Sequence, residues 1–225
     1  LLKEMASNQG KEMTGPLHIG LIPTVGPYLL PYIVPTLKET FPDLEVFLYE
    51  AQTHQLLEQL ETGRLDCAIV ARVPETEAFI EVPIFDEKML LAVSDQHPWA
   101  SESKIAMNTL KGQEMLMLDD GHCLRNQALD YCFTAGAKED SHFQATSLET
   151  LRNMVAANAG ITFMPELAVL NEGTRAGVKY IPCHSPEPSR TIALVYRPGS
   201  PLRNRYERIA SAVSEQVKSI LANKK

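Results

Sequence analysis

Leu65-Asp66-Cys67-Ala68-Ile69-Val70 decides the fold class. An apolar run with no polar alternation reads as a strand buried on both faces, the kind found inside parallel sheets. Just before it, Gly63 closes a helix whose apolar positions are Leu56, Leu57 and Leu60, with Thr53 as its expected cap. Further back, 44–50 and 17–22 read as strands. The turn Pro23-Thr24-Val25-Gly26-Pro27 leads from the first strand into a helix running to Phe41, with Leu30, Ile33, Val34 and Leu37 as its inner face. Pro31 and Pro35 fall inside that pattern, so its start is expected to be displaced or kinked. The order is βαβαβ, a doubly wound half-sheet.

Toward the C-terminus the pattern repeats. Residues 80–84 and 89–93 form two extended pieces. A second α/β series follows: a strand at 115–118, a helix from Gly121, and a strand at 142–146. Thr146-Ser147-Leu148-Glu149 then reads as a capping box opening a helix with Leu151, Met154, Val155 and Asn158 along it. Strands are expected at 160–165, 178–183 and 190–196, and a closing amphipathic helix at 202–221 with Ile209, Val213, Val217 and Ile220 inward. The class is therefore α/β, with two similar subdomains joined by crossovers near 80–93 and 183–196.

The bulk composition narrows the function. An apolar content of 44% over 225 residues is enough for a real core. A net charge of −7 argues against a broad nucleic-acid surface on this chain. No apolar run approaches a membrane span. The N-terminus has no signal-peptide core and no initiator Met, so the chain is expected to be part of a longer one. Four cysteines without a secretory leader point to thiols in a reducing compartment.

Two of those cysteines lie in Gly121-His122-Cys123-Leu124-Arg125-Asn126-Gln127-Ala128-Leu129-Asp130-Tyr131-Cys132-Phe133. Asp119, Asp120 and Gly121 provide a helix entry, and Gly136 an exit in the left-handed conformation. Leu124, Ala128, Tyr131, Cys132 and Ala135 make one apolar stripe, so Cys132 is expected to face a core. Nine helical steps turn Cys123 to the opposite side, with a rise of roughly 13.5 Å. A disulfide requires Cα atoms within about 7 Å, so the two could bond only if the helix opened. They are either unrelated thiols or a switch that stores its signal in a refolded segment.

Cys123, at the first turn, is expected to be an accessible thiolate favoured by the helix dipole, with His122 and Arg125 adding donors or positive charge. The plainer reading is an ordinary half-buried thiol. Cys67 and Cys183 are most simply structural. His122-Cys123 and Cys183-His184 lack the close two-cysteine spacing of a zinc site, so no metal and no cofactor are expected. Thr24 and Thr53 stand at the carboxyl ends of strands, where open α/β sheets bind ligands; the plainer reading is that each caps its helix. Arg190 has no neighbouring carboxylate but Glu187 and reads as solvated. No Gly-rich phosphate loop, metalloprotease helix or Gly-x-Ser-x-Gly elbow is present.

The run Asp120-Gly121-His122-Cys123-Leu124-Arg125, with Cys132 beyond it, resembles the redox segment of the hydrogen-peroxide-sensing LysR-type transcriptional regulators. The runs at 18–31, 50–57 and 145–157 extend the resemblance over essentially the whole chain, as the regulatory domain only. It implies two Rossmann-like subdomains resembling a periplasmic binding protein, joined by two crossover strands. Residues 1–14 would end a linker helix, 15–86 plus 191–225 form the first subdomain, and 87–190 form the second, carrying the redox cysteines. It also implies that Cys123 is the peroxidatic cysteine and Cys132 the resolving one. Thr24, Thr53, His122 and Arg190 match positions that hold peroxide or the reactive sulfur. The implied partners are hydrogen peroxide, further copies in a homodimer or homotetramer, promoter DNA through an absent N-terminal helix-turn-helix, RNA polymerase, and a glutaredoxin- or thioredoxin-type reductant. The implied setting is the bacterial cytoplasm, with no membrane and no enzymatic turnover. Asn126 departs from the acidic residue of the family's best-known form, which is expected to favour the thiolate slightly. The alternatives are a small-ligand-binding effector domain without redox chemistry and a thiol peroxidase.

Overall fold

The computed structural model describes residues 12–170 and 177–223. The expected helix end at 1–14 falls almost wholly outside them. The described residues divide into two compact units: one holds the chain up to Phe85 and from Thr191 onward, the other Asp86–Arg190.

In the first unit β1 (Gly15–Leu21), α1 (Gly26–Thr40), β2 (Leu44–Glu50), α2 (Thr53–Glu61) and β3 (Cys67–Ala71) follow one another. β1 lies between β2 and β3 and runs parallel to both, with Leu17 opposite Val46 and Ile19 opposite Cys67. All five residues of β3 are buried, as its unbroken apolar run requires. α2 packs so closely that a Cβ on Gly20 would come within 2.6 Å of Leu56 Cδ2, so a larger residue there would have to displace the Leu56 and Leu65 methyls. The closing helix α6 (Arg203–Ala222) buries Ile209, Val213 and Val217, while Ile220 is only half-buried.

Three local expectations are corrected in this unit. α1 begins at Gly26 and carries both internal prolines, which lie exposed on its outer side with Pro27. The backbone bonds they forgo therefore face water. Its inner face is Leu29, Ile33 and Leu37; Leu30 and Val34 are half-buried. Thr53 is the first helical residue of α2, and Gln52 is the cap, forming a reciprocal box with Gln55 in which the Gln52 N–H donates to Gln55 Oε1 at 3.2 Å.

The strands β4 (Ile80–Ser94) and β9 (Ser189–Tyr196) each carry the chain from one unit to the other. β4 is one continuous strand where two pieces were expected. In the second unit its later residues pair antiparallel with β7 (Thr162–Pro165) and β8 (Val178–Ile181). β5 (Glu114–Leu118) pairs parallel with β6 (Lys138–Ala145), with an irregular register between Met115 and Met117. β6 begins four residues before the expected start at 142. Helix α3 (Cys123–Ala135) joins these two strands, and α4 (Leu148–Ala156) and α5 (Glu166–Leu170) flank β7. The α4 cap is Ser147, not Thr146: its Oγ accepts from the Thr150 N–H at 3.2 Å. Asn158 is past the end of that helix, in the left-handed region at φ 57°.

Candidate functional site

α3 is the expected helix. His122 is its N-cap residue, with an extended backbone and no side-chain capping bond. Gly136 ends it at φ 76°, and the Ala137 N–H donates back to the Cys132 carbonyl at 2.8 Å. Cys123 is the first helical residue and Cys132 lies in the last turn. All four cysteines of the chain are free and buried.

Burial separates the two helical thiols. Cys132 has no exposed surface, and this withdrawal from water pushes its thiol up to about 12. Its Sγ lies 3.1 Å from Sδ of Met115 on β5, with the thiol as donor. Cys123 keeps 9% exposure. It is therefore less open than the accessible thiol expected from the sequence, although it retains its place at the positive end of α3. Cys67 and Cys183 are buried as well, and burial raises both thiols, Cys183 to about 11.

His122 is buried and its Nε2 stands 3.2 Å from Asp119 Oδ1. Arg125 does not offer a free positive charge. Its guanidinium forks onto Glu139 of β6, with Nη2 donating to Oε2 at 2.9 Å and Nη1 to Oε1. Nη1 also reaches the Leu118 carbonyl at 3.2 Å, and Nε lies 3.0 Å from Asp120 Oδ1. Arg125 thus ties the first turn of α3 to the ends of both flanking strands. The same bond holds the Glu139 carboxyl below its usual range. Tyr131 adds a second tie, its hydroxyl donating to the Ser189 carbonyl at 3.0 Å.

Arg190 overturns the expectation of a solvated arginine paired at most with Glu187. It is buried, and its Nε donates to Glu87 Oε2 at 2.8 Å while Nη2 lies 2.7 Å from the same oxygen. The other Glu87 oxygen accepts the Leu167 N–H at 3.1 Å. Glu187 pairs instead with Lys88. Glu87 was not singled out from the sequence because 103 residues separate it from Arg190. It lies in the charged triplet Asp86-Glu87-Lys88, where nothing in the sequence distinguishes it from its neighbours.

Thr24 and Thr53 belong to the first unit. Both are buried, Thr24 just past the carboxyl end of β1 and Thr53 at the start of α2. With Gln52 and Gln55 closing the helix end, the Thr53 hydroxyl is not used as a cap. Among the described residues it has no hydrogen-bond partner. A buried hydroxyl left unpaired costs about 1–3 kcal/mol. Among the described residues, no cluster of three or more His, Cys, Asp or Glu side chains has metal-binding geometry. No described helix is long and apolar enough to cross a membrane.

The family model for the LysR substrate binding domain matches residues 10–218. A curated relative from Haemophilus influenzae, named hydrogen peroxide-inducible genes activator, is 92% identical over 221 residues, covering 98% of this chain and 73% of its own length. The crystal structure of the oxidised form of OxyR matches with a TM-score of 0.85 at 64% identity, over 92% of this chain and 98% of that one. The reduced form matches with the same TM-score at 61% identity, over 92% and 97%. The chain belongs to the LysR substrate-binding domain family, among the OxyR hydrogen peroxide-inducible genes activators.

Proposed function

We propose that this chain is the peroxide-sensing regulatory domain of a LysR-type transcriptional activator, with Cys123 as the reacting thiol and Cys132 as the resolving one. One observation carries the reading: both thiols are free on a single continuous helix whose geometry keeps them roughly 13.5 Å apart along its axis. A pair placed so can bond only by opening α3, which converts a chemical event into a change of fold.

The chemistry balances with peroxide as sole oxidant. The Cys123 thiolate attacks one peroxide oxygen, the O–O bond breaks, and the departing hydroxide takes up a proton. The product is a sulfenic acid. Cys132 leaves the core and attacks that sulfur; the S–S bond forms, the S–O bond breaks, and water departs with the Cys132 proton. Two thiols have then lost two electrons to one peroxide. His122 and Arg190, in the same unit as Cys123, assist at the sulfur and the leaving oxygen, and Arg125 holds the helix entry.

The refolded segment would alter how copies pair, in a homodimer or homotetramer, and so act on promoter DNA and RNA polymerase through the rest of the regulator. A cellular thiol reductant of the glutaredoxin or thioredoxin type resets it in the bacterial cytoplasm. A sensor of this kind reacts once and waits, unlike a peroxidase. Intact mass after one equivalent of peroxide tests the reading. The expected result is loss of two hydrogens, with Cys123 and Cys132 joined in one disulfide-linked peptide. Unchanged mass, with both thiols still open to alkylation after denaturation, would refute it.

A further inference from the structure

We propose that Met115 is a positioning residue for Cys132: its thioether accepts the Cys132 S–H and retains that thiol in the core until Cys123 has been oxidised. The inference rests on the resolving role given to Cys132 above and assigns the group that controls when that role begins.

The contact is specific. Sγ and Sδ are 3.1 Å apart, and neither residue has exposed surface. A thiol with no water beside it loses its hydrogen-bonding partner unless the core supplies one. Burial keeps the thiol protonated, so it is a donor at neutral pH. Of the apolar side chains of this size, only methionine carries a lone pair that can accept it. Leucine would fill the space and leave the S–H unanswered.

Met115 is also fixed from both sides. Its backbone is paired with Glu139 on β6 and bridges to Ile161 on the opposite edge. The acceptor therefore stays in place when α3 opens, and the Cys132 contact must break before the thiol can travel. When Cys132 then attacks the Cys123 sulfenic acid, the S–S bond replaces the S–O bond and water leaves, with no further oxidant needed. The contact thus opposes only the second step, closure of the disulfide. It does not touch the first, in which peroxide meets Cys123.

The test separates those two steps. Sulfenic acid and disulfide are followed by rapid quench and mass spectrometry after a peroxide pulse, in the chain as it stands and in Met115→Leu, a swap that nearly conserves volume. Met115→Ile serves as a second variant lacking the acceptor, should the first not fold. Met164→Leu, at an equally buried methionine on β7, controls for loss of core packing. Loss of the acceptor is expected to speed disulfide closure about fivefold, the worth of one net hydrogen bond, with the rate of Cys123 oxidation unchanged and Met164→Leu without effect. Closure at the original rate in the Met115 variants, or equal acceleration in Met164→Leu, overturns the inference and leaves the sensing reading standing. Absence of any Cys123–Cys132 disulfide in the unmodified chain instead overturns the sensing reading, and the role of Met115 with it.

Discussion

Glu87 and Arg190 form an ion pair closed to solvent on both sides, with Arg190 Nη2 2.7 Å from Glu87 Oε2. The pair joins β4 to β9 within the second unit, at the point where each strand enters or leaves it. Glu87 also anchors the first turn of α5 through the Leu167 N–H. Replacing it with alanine strands a buried guanidinium and that N–H together. Glu87→Ala is expected to lower unfolding stability by about 3–5 kcal/mol in urea titration. Glu87→Gln keeps one acceptor oxygen and turns the other into an amide donor, so it can answer only one of the two donors and should fall between Glu87 and alanine. A loss as large as alanine's would mean that the retained acceptor contributes nothing without the charge of the pair.

Thr53→Val removes a hydroxyl for which the described fold has no use. Stability should hold or rise by about 1 kcal/mol, since an unsatisfied buried group disappears. A drop in stability in urea titration would make Thr53 a packing residue.

Arg125 and Glu139 pin the entry of α3. Glu139→Gln weakens a bidentate, charge-assisted bond worth about 1.5–3 kcal/mol. Amides in the first turn of α3 should then exchange faster in the reduced chain while global unfolding changes less. A carboxyl held below its usual range contributes stability at neutral pH that is lost as pH falls through its folded value. The same amides should therefore lose protection on acidification, and Glu139→Gln should remove that dependence.

The raised Cys132 thiol gives a pH signature of the opposite sign. Unfolded, it ionises near the ordinary value of 9.0; folded, it stays protonated to about 12. Between those values the native state holds a proton that the unfolded state has released, so stability falls as pH rises, by up to about 1.4 kcal/mol per pH unit from this group. Cys132→Ala should flatten unfolding free energy over pH 9–12. Cys67 and Cys183 add slopes of the same sign, since both are raised.

Period and punctuation were enough for most elements. The unbroken run ending at Val70 marked a strand buried on both faces, parallel to β1 and antiparallel to β9, and Gly136 marked the end of α3 because no side chain sits easily at φ 76°. Local competition was harder to read. Ser147 and Gln52 displaced their neighbours as caps, because several adjacent residues can all accept the same N–H groups. The prolines of α1 were tolerated because they share its outer face. At the site, the two thiols and their separation follow from spacing along one helix. Arg190 and Arg125 were read without their carboxylates, since Glu87 and Glu139 reach them through tertiary folding, which leaves no periodic trace.

The central claim is that bonding Cys123 to Cys132 requires α3 to open. Amide hydrogen exchange across Cys123–Ala135, before and after one equivalent of peroxide, tests it most directly. The account predicts a protected helix in the reduced chain and loss of that protection in step with the loss of two hydrogens from the intact mass. A disulfide formed while α3 keeps its full protection would contradict it.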